Sequence, residues 1–150
     1  MAHGRVSRDV PRNSAHSAAR YAVWCPVYCL MPDHLHLVWM GMRCESDQLT
    51  AMTFLRTGLK PALGPDCAWQ HQAHDHVLRE EERQRNAFAA TCFCVLENPF
   101  RAKLVGAARE WPFCGAVVPG YPRLHPLEDG FWDLFWKLYF KTREAEPAPS

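Results

Sequence analysis

A chain of 150 residues fits one domain that buries about 70% of its unfolded surface around one core, which argues against a two-domain enzyme. With 48% hydrophobic and 22% charged residues, it is too apolar for a disordered chain and too charged for an integral membrane protein. Lys+Arg 17 against Asp+Glu 16 gives a formal charge of +1, so any surface for a polyanion must be local.

Residues 1–20 carry Arg5, Arg8, Arg12 and Arg20 against Asp9, with no hydrophobic period, and are read as a basic, disordered arm. The expected domain spans 21–143, with a disordered tail at 144–150. Val27–Met31 and His34–Met40 read as two strands joined by a tight turn at Pro32-Asp33. Ser46 or Asp47 can cap a helix whose Leu49, Met52, Leu55 and Leu59 recur at helical spacing, ending near Gly58 to Pro61. Trp69–Leu78 reads as extended, and Arg79–Glu97 as one long helix with a charged start. Asn98-Pro99 marks a break and restart into a short helix over 100–110. Pro112–Pro126 is rich in Pro and Gly and reads as loop, Phe131–Thr142 as an aromatic helix.

The seven cysteines, at 25, 29, 44, 67, 92, 94 and 114, form no CxxC pair and cannot all pair internally. They are read as free thiols, mostly small buried hydrophobes, in a reducing compartment. No apolar run reaches 18 residues, and the first residues hold no apolar segment fit for secretion, so a cytoplasmic protein without membrane contact is expected.

His34-Leu35-His36 is the candidate for chemistry. Residues two apart on a strand share a face, so both imidazoles emerge together, either as a pair of metal ligands or as a polar stripe on a half-buried strand. The wider pattern is more specific. YCLMPDHLHLV (28–38), WQ (69–70), DHVLR (75–79), LENPFRAKLV (96–105) and the later WPFCGAVVPGYPRLHP occur in the same chain. Together they resemble the single-strand DNA transposases with a His-hydrophobic-His motif and one nucleophilic tyrosine, in particular those associated with repetitive extragenic palindromes, relatives of the IS200-like transposases. The resemblance covers about residues 21–142.

That resemblance implies an α+β fold, a ferredoxin-like or RRM-like antiparallel sheet with helices packed on one face. It implies binding of hairpin-forming single-stranded DNA by a monomer or homodimer. Its members hold Mg2+ or Mn2+ with the two histidines and attack a phosphodiester with tyrosine, leaving a covalent 5′-phosphotyrosine and a free 3′-OH. By motif, His34 and His36 become metal ligands, and Asn98 becomes either the third ligand or a helix cap before Pro99. Basic residues for DNA are Arg56, Lys60, Arg79, Arg83, Arg85, Arg101 and Lys103, each of which also fits a solvated helix face. Trp69, Trp111, Trp132 and Trp136 can stack bases or fill the core, and Asp75 and His76 can support the metal or DNA end.

Two departures stand out. The family reads Tyr-Ile-x-x-Asn-Pro where this chain has Cys94-Val95-Leu96-Glu97-Asn98-Pro99, so Cys94 holds the position of the nucleophile. Tyr21, Tyr28, Tyr121 and Tyr139 offer no evident substitute. The family's first strand and basic helix also have no clear counterpart in residues 1–20, which leaves a central sheet position open. Strand cleavage and rejoining is therefore set against a binding protein that has lost cleavage. Two further readings are a metal-dependent phosphoesterase using His34, His36, His74 and His76, and a structural zinc module.

Overall fold

The apolar segments on either side of Pro32-Asp33 form the expected hairpin, β1 (Val23–Leu30) and β2 (Leu35–Gly41), in antiparallel register with Leu30 opposite Leu35 and Cys29 opposite His36. The Met31 N–H donates to the His34 carbonyl at 2.8 Å and closes the turn. The computed structural model describes residues 2–65, 67–71, 76–79 and 81–145. Among these it shows an α+β fold of five helices and a three-stranded antiparallel sheet in the order β2-β1-β3.

The strand β1 starts four residues earlier than the sequence suggests, because it runs through Pro26. Proline removes a ladder donor and is tolerated in a strand at a bulge. Both ladders shift register there, between Trp24 and Val27 against β2 and between Cys25 and Tyr28 against β3. Every residue of β1 is buried.

Residues 1–20 are not an arm. Helix α1 (Ala2–Tyr21) buries Val10, Ser14, Ser17 and Ala18, a stripe of small side chains at helical spacing. Such a stripe offers little hydropathy signal yet allows close approach. Ser17 Oγ donates to the Ala51 carbonyl on α2 (Gln48–Leu59) at 3.2 Å. Asn13 lies over Gly58, where a Cβ would clash with its side-chain oxygen. Gly58 is thus a packing position in the last turn of α2, which ends at Leu59 as expected. Asp47 caps α2 by accepting from Thr50 N–H at 2.9 Å. Ser46 has a different task, since its hydroxyl donates to Ala22 carbonyl at 2.6 Å and ties the end of β2 to the α1–β1 junction.

The charged start of the expected long helix does not hold. A single 3-10 turn covers Glu81–Arg83, Gln84 is extended, and α3 spans Arg85–Leu96. Residues 79–84 have no apolar stripe to dock, and isolated short helices are marginal without one. The restart at Asn98 is present but short: α4 covers Asn98–Arg101, and only a 3-10 turn at Ala108–Glu110 follows. The described parts of Trp69–Leu78 join no sheet, while 72–75 lie outside the described residues, as does the tail at 146–150. Pro112–Pro126 is not all loop, because Cys114–Val117 form β3 on the free edge of β1. The aromatic segment is α5 (Phe131–Glu144), as expected.

Helices cover both faces of the sheet, not one. Cys25, Tyr28 and Leu30 pack with Val10, Ala18, Leu55 and Leu59 from α1 and α2. Val27 and Cys29 pack with Phe88, Cys92 and Leu96 of α3, and Trp24 packs with Phe131, Phe135 and Leu138 of α5. The central position of the sheet is filled by β1, with α1 where a missing strand was expected. No helix among the described residues is long and apolar enough to cross a membrane.

Two substitutions test this packing. Ser14 Oγ is buried without a partner among the described residues, so Ser14→Ala should raise stability by about 1 kcal/mol in urea unfolding. A Cβ on Gly115 would sit 2.9 Å from the Tyr28 hydroxyl, so Gly115→Ala should lower stability by about 1–3 kcal/mol.

Candidate metal centre

The period of β2 sorts its side chains. Leu35, Leu37 and Trp39 pack toward α1 and α2, whereas Val38 and Met40 pack toward α3. His36 therefore lies on the α3 side, and His34, two residues earlier, emerges beside it. Their Nε2 atoms are 2.9 Å apart, and the rings meet edge to face with centroids at 4.6 Å. On the far side of His34, Nδ1 lies 2.6 Å from Asp33 Oδ1. A carboxylate on Nδ1 orients a histidine so that Nε2 is presented outward as a ligand.

This pair fits one divalent cation. With metal–nitrogen bonds of about 2.1 Å, two nitrogens 2.9 Å apart would subtend an angle of about 90°, the cis angle of an octahedral site. Among the described residues no group of three His, Cys, Asp or Glu could hold a metal. Two imidazole nitrogens make an incomplete set, which suits a divalent cation whose remaining positions go to water or substrate oxygens, rather than a closed structural zinc site.

Burial, and secondarily the nearby His34, lowers the pKa of His36 below the ordinary histidine value of 6.5. His36 is neutral in the folded protein at pH 7 and able to ligate. Its contribution to stability is present above pH 6.5 and is lost as pH falls through the lower folded value. Asp33 is held below the usual carboxylate range by its hydrogen bond to His34.

Asn98 and Cys94 are engaged elsewhere. Asn98 does not serve as a side-chain N-cap; its Nδ2 donates to the Val95 carbonyl at 3.2 Å, closing the end of α3, and leaves Oδ1 as its only ligating atom. Cys94 is exposed. It lies two residues from each of the buried Cys92 and Leu96, which at 3.6 residues per turn places it on the side of α3 away from the sheet. Its neighbour is Arg101, which bonds both Cys94 and Glu97.

Tyr28 is buried beneath Gly115, with its pKa pushed up to about 12 by desolvation. Tyr139 accepts from Arg143 at 2.8 Å, and Tyr21 packs against Phe54. Cys25, Cys29, Cys92 and Cys114 are buried. Desolvation raises all four thiols, to about 12 for Cys29 and Cys92 and about 11 for Cys114, so they are inert apolar groups rather than ligands. Cys44 and Cys67, with Cys94, are exposed.

Several of the basic candidates already have internal roles. Arg56 donates to the Gln70 carbonyl and lies over the Trp69 ring. Arg83 donates to the Leu78 carbonyl at 2.9 Å, and Arg85 sits 4.8 Å from the Phe140 ring centre. Lys60, Arg79 and Lys103 are exposed. Trp111 donates to the Leu30 carbonyl at 3.0 Å, and Trp132 and Trp136 pack on α3, so these tryptophans belong to the core rather than to a stacking surface. Trp69 is half-buried against α2. His76 is exposed; Asp75 and His74 lie outside the described residues. The cluster that sequence reading missed is the exposed pair Phe93 and Phe100, whose only signal was two aromatics beside the Asn-Pro break.

Comparison with protein-family models, with curated proteins and with solved structures found no match.

Histidine titration by NMR checks the assigned causes of the His36 shift. His36 should titrate below 6.5, and in His34→Ala its midpoint should rise only part of the way back, because burial is the larger cause. Full return to 6.5 would show that the His34 charge sets the shift.

Proposed function

We propose that this chain is an IS200-like, REP-associated transposase-type protein that binds hairpin-forming single-stranded DNA and holds Mg2+ or Mn2+ through His34 and His36. The observation that carries this reading is the pair of converging Nε2 atoms 2.9 Å apart, with Asp33 behind the first imidazole. A bound cation supplies charge neutralisation and polarisation at a phosphodiester. The protein's part is to hold His36 neutral, to orient His34 through Asp33, and to present both nitrogens at the sheet end where a strand can reach them. The finer fold reading, a ferredoxin-like or RRM-like sheet, is supported by the antiparallel hairpin and by helices packed on the sheet.

The position of Cys94 favours the binding form over the cleaving form. A thiol on the outer side of α3 lacks both the reach of a phenol and an approach to the histidine face. The small-phosphoester and zinc-module readings have less support, since the described residues offer no third carboxylate or thiolate ligand.

Calorimetry with Mn2+ should show binding that is lost in His34→Ala/His36→Ala and that weakens as pH falls through the lowered value of His36, because the ligand must be neutral. A DNA hairpin should bind in preference to duplex at moderate salt. With Mn2+ present, wild type should form no covalent protein–DNA adduct. An adduct abolished by Cys94→Ser would restore the cleaving form, and equal affinity for hairpin and duplex would sink the single-strand reading.

A further inference from the structure

We propose that the groove walled by Phe93 and Phe100 and rimmed by Lys103 and Arg109 is the seat of an unpaired nucleic-acid strand, with bases against the two rings and phosphates on the two cations. This deepens the reading above, on which it rests, by assigning the strand a surface separate from the histidine pair.

The aromatic inventory singles out these two residues. Phe54, Phe88, Phe113, Phe131, Phe135 and Phe140 all make ring contacts inside the protein. No ring contact among the described residues involves Phe93 or Phe100, which are 48% and 49% exposed. They line one groove together with Arg109, and an adjoining groove lined by Lys103 shares Phe100 and Gly106 with it.

Charge points to an anionic occupant. The guanidinium of Arg101 is paired with Glu97 at 2.9 Å. The Glu110 carboxylate is folded back onto the N–H groups of Gly106 and Ala107. Lys103 and Arg109 make no ion pair among the described residues, so the rim presents two unopposed cations beside exposed rings. An apolar peptide needs no such cations. Stacking on flat rings between backbone cations is how sequence-tolerant single-strand sites work.

The backbone adds an independent observation. Lys103 N–H bonds to Phe100 carbonyl and Leu104 N–H to Pro99 carbonyl, both at 2.9 Å, the pattern that ends a helix in a left-handed residue. That residue is Lys103, with φ 59°, where glycine carries no steric penalty. A lysine kept in a strained position at a groove rim is what a binding role would select. From Arg109 the chain runs on to Trp111 and Phe113, which hydrogen-bond to both sides of Leu30, four residues before His34. The segment that leaves the groove at Arg109 is thus fixed to the end of β1 next to the histidine turn.

The test is fluorescence anisotropy with a labelled twelve-residue oligothymidylate, which cannot form a hairpin. Phe93→Ala/Phe100→Ala should bind roughly tenfold more weakly or worse. Lys103→Gly should reduce the salt slope by about 0.7 while leaving the thermal midpoint unchanged or higher. Wild-type affinity in the phenylalanine double variant, with its fold retained by circular dichroism, would overturn the groove and leave the single-strand function standing. A proportional loss of duplex binding in the same variant would overturn the stacking assignment. Failure of wild type to bind either the oligothymidylate or a hairpin would overturn both.

Discussion

The bulge at Pro26 governs the rest of this structure. Trp24 and Val27 are three residues apart, yet both face the α3–α5 side of the sheet. Strict alternation would put them on opposite faces. The extra residue absorbs the missing step, and it does so where proline has no N–H to offer either neighbour. On one side of the bulge β1 meets α5 through Trp24; on the other it meets α3 through Val27 and Cys29. A strand buried on both faces and paired at both edges leaves few alternative registers, because a slip of one residue would exchange two different packing surfaces.

This double burial explains which parts of the fold were legible in the sequence. The hairpin, α2 and α5 announce themselves through turn chemistry, an aspartate cap and strong apolar spacing. The start of β1 does not, since proline inside a central strand normally argues against one. Helix α1 is hidden for the opposite reason: Ser14, Ser17 and Ala18 bury a stripe that hydropathy counts as polar or neutral, though small side chains are what close helix approach requires. Four residues, Cys114–Val117, are too few to show a period within a segment rich in proline and glycine. The helices on the second sheet face were likewise beyond pattern reading, because neither face of β1 is polar.

The candidate site was legible in a different way. His34 and His36 were placed by strand period alone, and the turn residues around them set the details: Pro32 favours the bend, Asp33 meets Nδ1, and the Met31–His34 backbone bond fixes the loop. What the motif could not convey was the facing of Cys94. Spacing puts Cys94 and Asn98 one turn apart, but only the burial of Cys92 and Leu96 shows that the thiol is turned outward. Nor could it show that Asn98 has its amide nitrogen tied to Val95.

A site closed by backbone bonds within its own turn does not wait for a ligand to assemble. The Nε2 pair is held by a hairpin whose β1 strand is anchored on both sides, so a cation bound there would require little reordering of the protein. Two imidazoles form an incomplete shell, which leaves positions for water or phosphate oxygen. The same rigidity limits what the chain can do alone. With β1 fixed between two helical layers and α3 packed through Phe88, Cys92 and Leu96, no small adjustment turns Cys94 toward the histidines. Catalysis by that thiol would demand that α3 rotate by about half a turn, which would expose the buried stripe joining it to the sheet. The packing that preorganises the histidine pair is thus also what turns Cys94 away from it.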